Sequence, residues 1–212
     1  MVAGPEAGKT ELLAQRACYL LETGLCPTPR RILAISFKRD AAKNLGERVQ
    51  KRCGDRARRF DSFTLDKFAK GLVDRFMLGL HADWRTTAGY EVMVRSLPVD
   101  EMRVWLEAAG VPTGQAPLDI NGLQSHQIKK LFDLYSHGYP LPCDGAEVTP
   151  LIRHLSRRWW REQLALPPER PSLTFPMLNR LAAFLLRNNP KLIAALRMTY
   201  VFRQWRSGQH GR

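Results

Sequence analysis

The stretch Val2-Ala3-Gly4-Pro5-Glu6-Ala7-Gly8-Lys9-Thr10-Glu11 decides how the rest of the chain is read. From Ala3 it spells A-x-x-x-x-G-K-T, one residue from the phosphate-binding pattern G-x-x-x-x-G-K-[ST]. A loop of small residues turns its backbone N–H groups inward as a nest for a polyphosphate. The helix that follows offers its positive dipole end and unpaired N–H groups to the same anion. Lys9 is placed to reach the outer phosphates, and the Thr10 hydroxyl to ligate Mg²⁺. Ala3, Gly4, Pro5, Glu6, Ala7, Gly8, Lys9 and Thr10 are therefore the expected nucleotide-binding residues, with Thr10 also the expected metal ligand.

Downstream of the loop, Glu11 to Thr23 reads as a helix with Leu13, Ala17, Leu20 and Leu21 on one face and Gly24 as its stop. Ile32-Leu33-Ala34-Ile35 is a short continuous apolar run, the pattern of a buried parallel strand. Lys38 to Arg52 repeats the helical period, with Ala41, Ala42, Leu45 and Val49 inward and Lys43, Glu47 and Lys51 outward. Loop, helix, strand and helix in that order make half of a doubly wound α/β domain. Arg58-Arg59-Phe60 predicts a short strand, and Asp61 or Ser62 the cap of a helix bearing Leu65, Phe68, Leu72 and Phe76. From about His81 the pattern predicts helices near 89–96, 100–109 and 120–137, with no strand signal between them. Arg153, Arg157, Arg158 and Arg161 with Trp159 and Trp160 predict a basic aromatic helix. Thr174 onward returns to an amphipathic helix, then Asn189-Pro190 starts another, and Met198 to Phe202 begins a strand. The expected division is 1–79 and 169–202 for one α/β domain with a parallel sheet, 80–168 for a mainly helical insertion, and 203–212 for a basic disordered tail.

The chain has 33 Lys and Arg against 20 Asp and Glu, and a net charge of +13 favours a polyanionic partner, above all nucleic acid. Cys18, Cys26, Cys53 and Cys143 lie far apart with no C-x-x-C pair, which predicts reduced thiols, no zinc site and a cytoplasmic protein. No apolar run approaches the ~18–20 residues of a membrane span, so no membrane partner is expected.

Several stretches together resemble the UvrD/Rep-like superfamily 1 DNA helicases. Val2 to Thr10 is similar to that family's phosphate loop, in which Ala often opens the motif. Ile35-Ser36-Phe37-Lys38-Arg39-Asp40-Ala41-Ala42-Lys43-Asn44-Leu45, followed by Glu47-Arg48-Val49, resembles motif Ia. Phe60-Asp61-Ser62-Phe63 resembles motif Ib, and Leu173-Thr174-Phe175-Pro176 with Asn189-Pro190 resembles the approach to the family's DExQD strand. The resemblance implies a partial RecA-like P-loop domain that binds ATP and Mg²⁺ and couples hydrolysis to movement along single-stranded DNA. It places Ser36, Phe37, Lys38, Asp61 and Ser62 against the DNA strand. A base stacked on Phe37 contributes ~1–3 kcal/mol; the alternative for Phe37 is an aromatic capping the sheet from within.

Three departures shape the expectation. Only Met1 and Val2 precede Ala3, where a buried strand should feed the loop. Glu6 stands where the family has Gly, adding a Cβ and a negative charge beside phosphate. After Tyr200 the chain runs Val201-Phe202-Arg203-Gln204-Trp205-Arg206 instead of into the acidic pair, and Asp100-Glu101 follows Pro98 and reads as a helix start. The expectation is an N-terminal piece of a helicase gene, ended just before the acidic motif, that binds ATP and by itself neither hydrolyses it nor unwinds DNA. The rival is a non-enzymatic basic DNA-binding fragment with a vestigial phosphate loop.

Overall fold

Ile32–Ser36 (β1) and Phe60–Thr64 (β2) pair in parallel, Ile32 opposite Phe60 and Ser36 opposite Thr64. The computed structural model describes residues 5–86, 89–93, 97–116, 118–136, 141, 149–165 and 171–201, with backbone alone for 5–7 and 165. The chain divides into two units, 1–68 with 189–212, and 69–188.

In the first unit, helices Pro5–Glu22 (α1) and Arg39–Cys53 (α2) pack on one face of the β1–β2 pair. Ala14, Ala17, Leu20 and Leu21 of α1 meet Leu45, Val49 and Cys53 of α2, with Ile32, Ala34 and Phe60 of the sheet against them. The inward positions of α2 match the helical period read from the sequence, with Ala42, Leu45 and Val49 buried and Ala41 half-buried. Gly24 follows α1 at φ 74°, a left-handed stop that other residues adopt at a cost. A 3-10 turn, Gly54–Arg59, leads into β2. Tyr200 bridges Arg31 in parallel on the far side of β1, with Val201 N–H donating to the Arg31 carbonyl at 2.9 Å. The strand order is therefore β2, β1, then the segment at Tyr200, which is reached through helix Pro190–Thr199.

Several expectations change here. β1 is not buried throughout: Ile35 is 47% exposed, because α1 and α2 cover one face of the pair. Arg58 and Arg59 lie in the 3-10 turn, and the strand occupies Phe60–Thr64, so Asp61 and Ser62 are strand residues and not caps. The cap of the next helix, Leu65–Phe76 (α3), is Thr64, whose Oγ1 accepts from Lys67 N–H at 3.1 Å. Cys18 and Cys53 form a disulfide, contrary to the expected reduced thiols. Their separation of 35 residues carries no signal in the sequence; packing of α1 on α2 brings them together.

The second unit holds helices Val99–Ala108 (α4), Ser125–Ser136 (α5), Pro150–Ala165 (α6) and Phe175–Asn188 (α7). The helix expected at 89–96 is instead a strand, Glu91–Met93 (β3), paired in parallel with Ser172–Thr174 (β4). Leu173, fully buried opposite Val92, is a tertiary partner that local propensity does not see. The tryptophans of α6 form core: Trp105, Phe132 and Trp159 pack edge to face with centroids 4.9–5.6 Å apart, and Trp160 is fully buried. Ser172 to Asn188, expected with the sheet of the first unit, cluster with this second unit.

Candidate functional site

α1 starts at Pro5, where the sequence reading has a loop continuing to Thr10. Proline is preorganised for the first helical position, and Glu6 and Ala7 are helix formers. The Pro5–Thr10 backbone therefore belongs to a helical N-terminus, whose first-turn N–H groups lack intrahelical acceptors. Ala3 and Gly4 lie outside the described residues. Gly8 and Lys9 are exposed, and a Cβ built on Gly8 meets nothing within 4 Å.

Thr10 is half-buried and lines a cavity of about 370 Å³ between α1, α2 and the sheet. Ser36 and Ser62 line the same cavity, with Arg16, Leu13 and Leu45. Three of the residues expected at function thus converge: one from the phosphate motif and two from the strands. Ser62 also donates to the Ala42 carbonyl at 2.7 Å, which ties β2 to α2.

Ser36 ends β1, and its Oγ accepts from Lys38 N–H at 3.3 Å in the turn before α2. Phe37 stands in that turn at 91% exposure. The alternative of an aromatic capping the sheet from within is thereby excluded. Lys38 is also exposed, so a ring and a cation share the carboxyl edge of the sheet.

Asp61 is engaged elsewhere. Arg31 donates to it from Nε and Nη2, both at 2.6 Å, and the Tyr200 hydroxyl donates at 3.2 Å. Asp61 therefore joins the starts of β1 and β2 to the third strand position. The Arg31 guanidinium is raised above its ordinary value, chiefly by the Asp61 hydrogen bond. Sequence reasoning singled out neither Arg31 nor Tyr200, since pairing between strands so distant in sequence leaves no local pattern.

Glu11, directly after the phosphate motif, is bound by Arg48 at 2.6 Å and by Arg52. The Arg48 hydrogen bond holds its carboxyl below the usual carboxylate range, helped by the charge of Arg52 and against some burial. The pair anchors the start of α1 to α2 and keeps that carboxylate occupied with cations.

Lysine, hydroxyl and helix N-terminus suit a polyphosphate in chemical type. For Mg²⁺, Thr10 supplies one oxygen, enough for an ion that takes most of its shell from phosphate and water. Among the described residues no cluster of three His, Cys, Asp or Glu is arranged for a metal, and Asp100-Glu101 sits in the first turn of α4. No helix among the described residues is long and apolar enough to cross a membrane.

The sequence pattern of the UvrD/REP helicase N-terminal domain matches residues 1–133. ATP-dependent DNA helicase PcrA from Staphylococcus aureus strain Mu50 is 44% identical over 57 residues, covering 27% of this chain and 8% of that relative. The same helicase from strains NCTC 8325 and COL gives the same match of 44% over 57 residues. The aligned stretch is thus a small part of those relatives. With the pattern extending over most of its length, the chain belongs to the UvrD/REP helicase family through that family's N-terminal domain.

Proposed function

We propose that the chain is the ATP-binding portion of a UvrD-like DNA helicase, part of a RecA-like domain divided by a helical insertion, which takes Mg-ATP at Ala3–Thr10 and single-stranded DNA at Ser36–Lys38. The observation that carries the reading is the cavity shared by Thr10 and Ser36, which links the phosphate motif to the strand end where Phe37 stands 91% exposed. Lys9 and the helix N-terminus hold the phosphates, Thr10 meets the metal, and Phe37 stacks a base beside the Lys38 ammonium. The acidic pair that holds Mg²⁺ and positions water in the family does not follow Tyr200, so the chain alone binds ATP without turning it over. A cytoplasmic location goes with this reading through the family alone, since the Cys18–Cys53 disulfide removes the thiol argument for it.

The helical course of Pro5–Thr10 favours a second reading, in which the phosphate motif is vestigial and the chain is a DNA-binding module. Thermal melts with and without Mg-ATP separate the two. Stabilisation lost in Lys9→Ala supports the first; single-strand affinity unchanged by Lys9→Ala, with no nucleotide effect on melting, supports the second. Phe37→Ala is expected to weaken single-strand binding by roughly 5- to 150-fold, the range of one stacked base, without altering the melt. An unchanged affinity removes the strand-end contact from either reading. Measurable unwinding by the chain alone overturns both.

A further inference from the structure

The other end of the sheet carries a second concentration of positive charge that this function does not use. β1 and β2 start in register, and the 3-10 turn that follows α2 delivers the chain to the start of β2. Arg59 in that turn donates to the carbonyls of Cys26 (2.8 Å) and Arg30 (3.2 Å), so the loop before β1 is tied to the same edge. Arg30, Lys51, Arg52, Arg56, Arg58 and Arg59 lie at this end, Lys51 and Arg52 in the last turn of α2, where they line a depression with Glu11 and Glu47. The first five are exposed. Two carboxylates answer them: Asp55 pairs with Arg58 at 3.3 Å, and Glu11 is shared by Arg52 and Arg48. Among the described residues, Arg30, Lys51 and Arg56 have no carboxylate partner. The Cys18–Cys53 disulfide and the Arg59 bonds fix the backbone beneath, so the charges sit on a held platform.

We propose that this edge is a second nucleic-acid surface, one that grips the phosphate backbone of duplex DNA without reading its bases. The cluster is mostly arginine, whose planar guanidinium pairs two N–H groups with phosphate oxygens. None of these six is aromatic, and Phe60, which follows Arg59, packs against the core, so the cluster is built for phosphate more than for stacking a base. Duplex DNA has the denser row of phosphates and gains more from counterion release than a single strand does. The surface lies one strand length from Phe37, about 16 Å for the five residues of β1. The two contacts are thus separate, and this one stands without the strand-end reading.

The test is binding of a short blunt-ended DNA duplex to the full chain, followed by fluorescence anisotropy across a salt series. Lys51→Ala/Arg56→Ala removes two exposed cations without orphaning an acid, and its melt should match the parent. The slope of log affinity against log salt is expected to fall by roughly 2, near 0.9 for each phosphate that the variant no longer neutralises, equally for unrelated duplex sequences. Phe37→Ala should leave that slope unchanged. The proposal is overturned if the double variant keeps the parental slope, or if Lys129→Ala/Lys130→Ala, exposed on α5, lowers it equally, which would mean diffuse charge. Equal competition by poly-glutamate at matched charge also overturns it, in favour of an acidic protein partner.

Discussion

Replacing Asp61 with Asn tests whether that carboxylate serves the fold or the DNA. Asn keeps the shape and one acceptor but removes the charge and turns an N–H₂ toward Arg31. Two charge-assisted hydrogen bonds at 2.6 Å and a longer one from Tyr200 at 3.2 Å are affected. The Asp61 side chain is 15% exposed and that of Arg31 35%, so the pair lies between a solvated and a buried ion pair. Solvated pairs contribute ~0–1 kcal/mol, while breaking a buried one costs ~3–5 kcal/mol, which places this substitution at about 2 kcal/mol. Tyr200→Phe alone should cost ~0.5–1 kcal/mol. The double variant should cost less than the sum, because both changes disturb one carboxylate. Urea titration measures the total. Since the chain has two units, hydrogen exchange at Val201 N–H, which donates to the Arg31 carbonyl, localises the loss. Faster exchange at Val201 with single-strand affinity intact is the expected outcome. Stability and exchange like those of the parent, together with weaker single-strand binding, would refute the argument and place Asp61 at the DNA.

Two further predictions concern α1. Glu11 has a folded pKa below its ordinary 4.5, so its contribution to stability is present above that value and lost as pH falls through the lowered one. Melts stepped down through this range should show an acid limb that Glu11→Gln or Arg48→Ala flattens; a limb of parental steepness in both variants contradicts the role given to the pair. Reducing the Cys18–Cys53 disulfide, which spans 35 residues, should cost about 4 kcal/mol in the chain-entropy account. A thiol reductant that leaves the urea midpoint where it was, with the thiols titrating as free, contradicts that.

What the sequence made legible was local and periodic. The spacing of Ala42, Leu45 and Val49 reports the buried face of α2 because a helix repeats its environment every 3.6 residues. β3 shows the limit, since three residues contain less than one helical turn and their partner, Leu173, lies far along the chain. Trp159 and Trp160, adjacent to arginines, read only as part of a basic aromatic helix. Only the packing of α4, α5 and α6 shows that their rings are core, while Arg158 reaches Glu162 at 2.8 Å and the Ala109 carbonyl at 2.6 Å.

The candidate site divides along the same line. Thr10, Ser36 and Ser62 line one cavity between α1, α2 and the sheet, a juxtaposition that the separate motifs do not announce. Asp61 and Ser62 are neighbours in one motif, yet a strand sends neighbouring side chains to opposite faces. Ser62 turns to the Ala42 carbonyl of α2, and Asp61 to Arg31 and Tyr200. A role shared by both residues therefore requires β2 to twist or release one of them. Phe37, in a turn where no sheet partner constrains it, is free to meet a base without any such change, and so the proposed strand-end contact rests on Phe37 and Lys38 more than on the second motif.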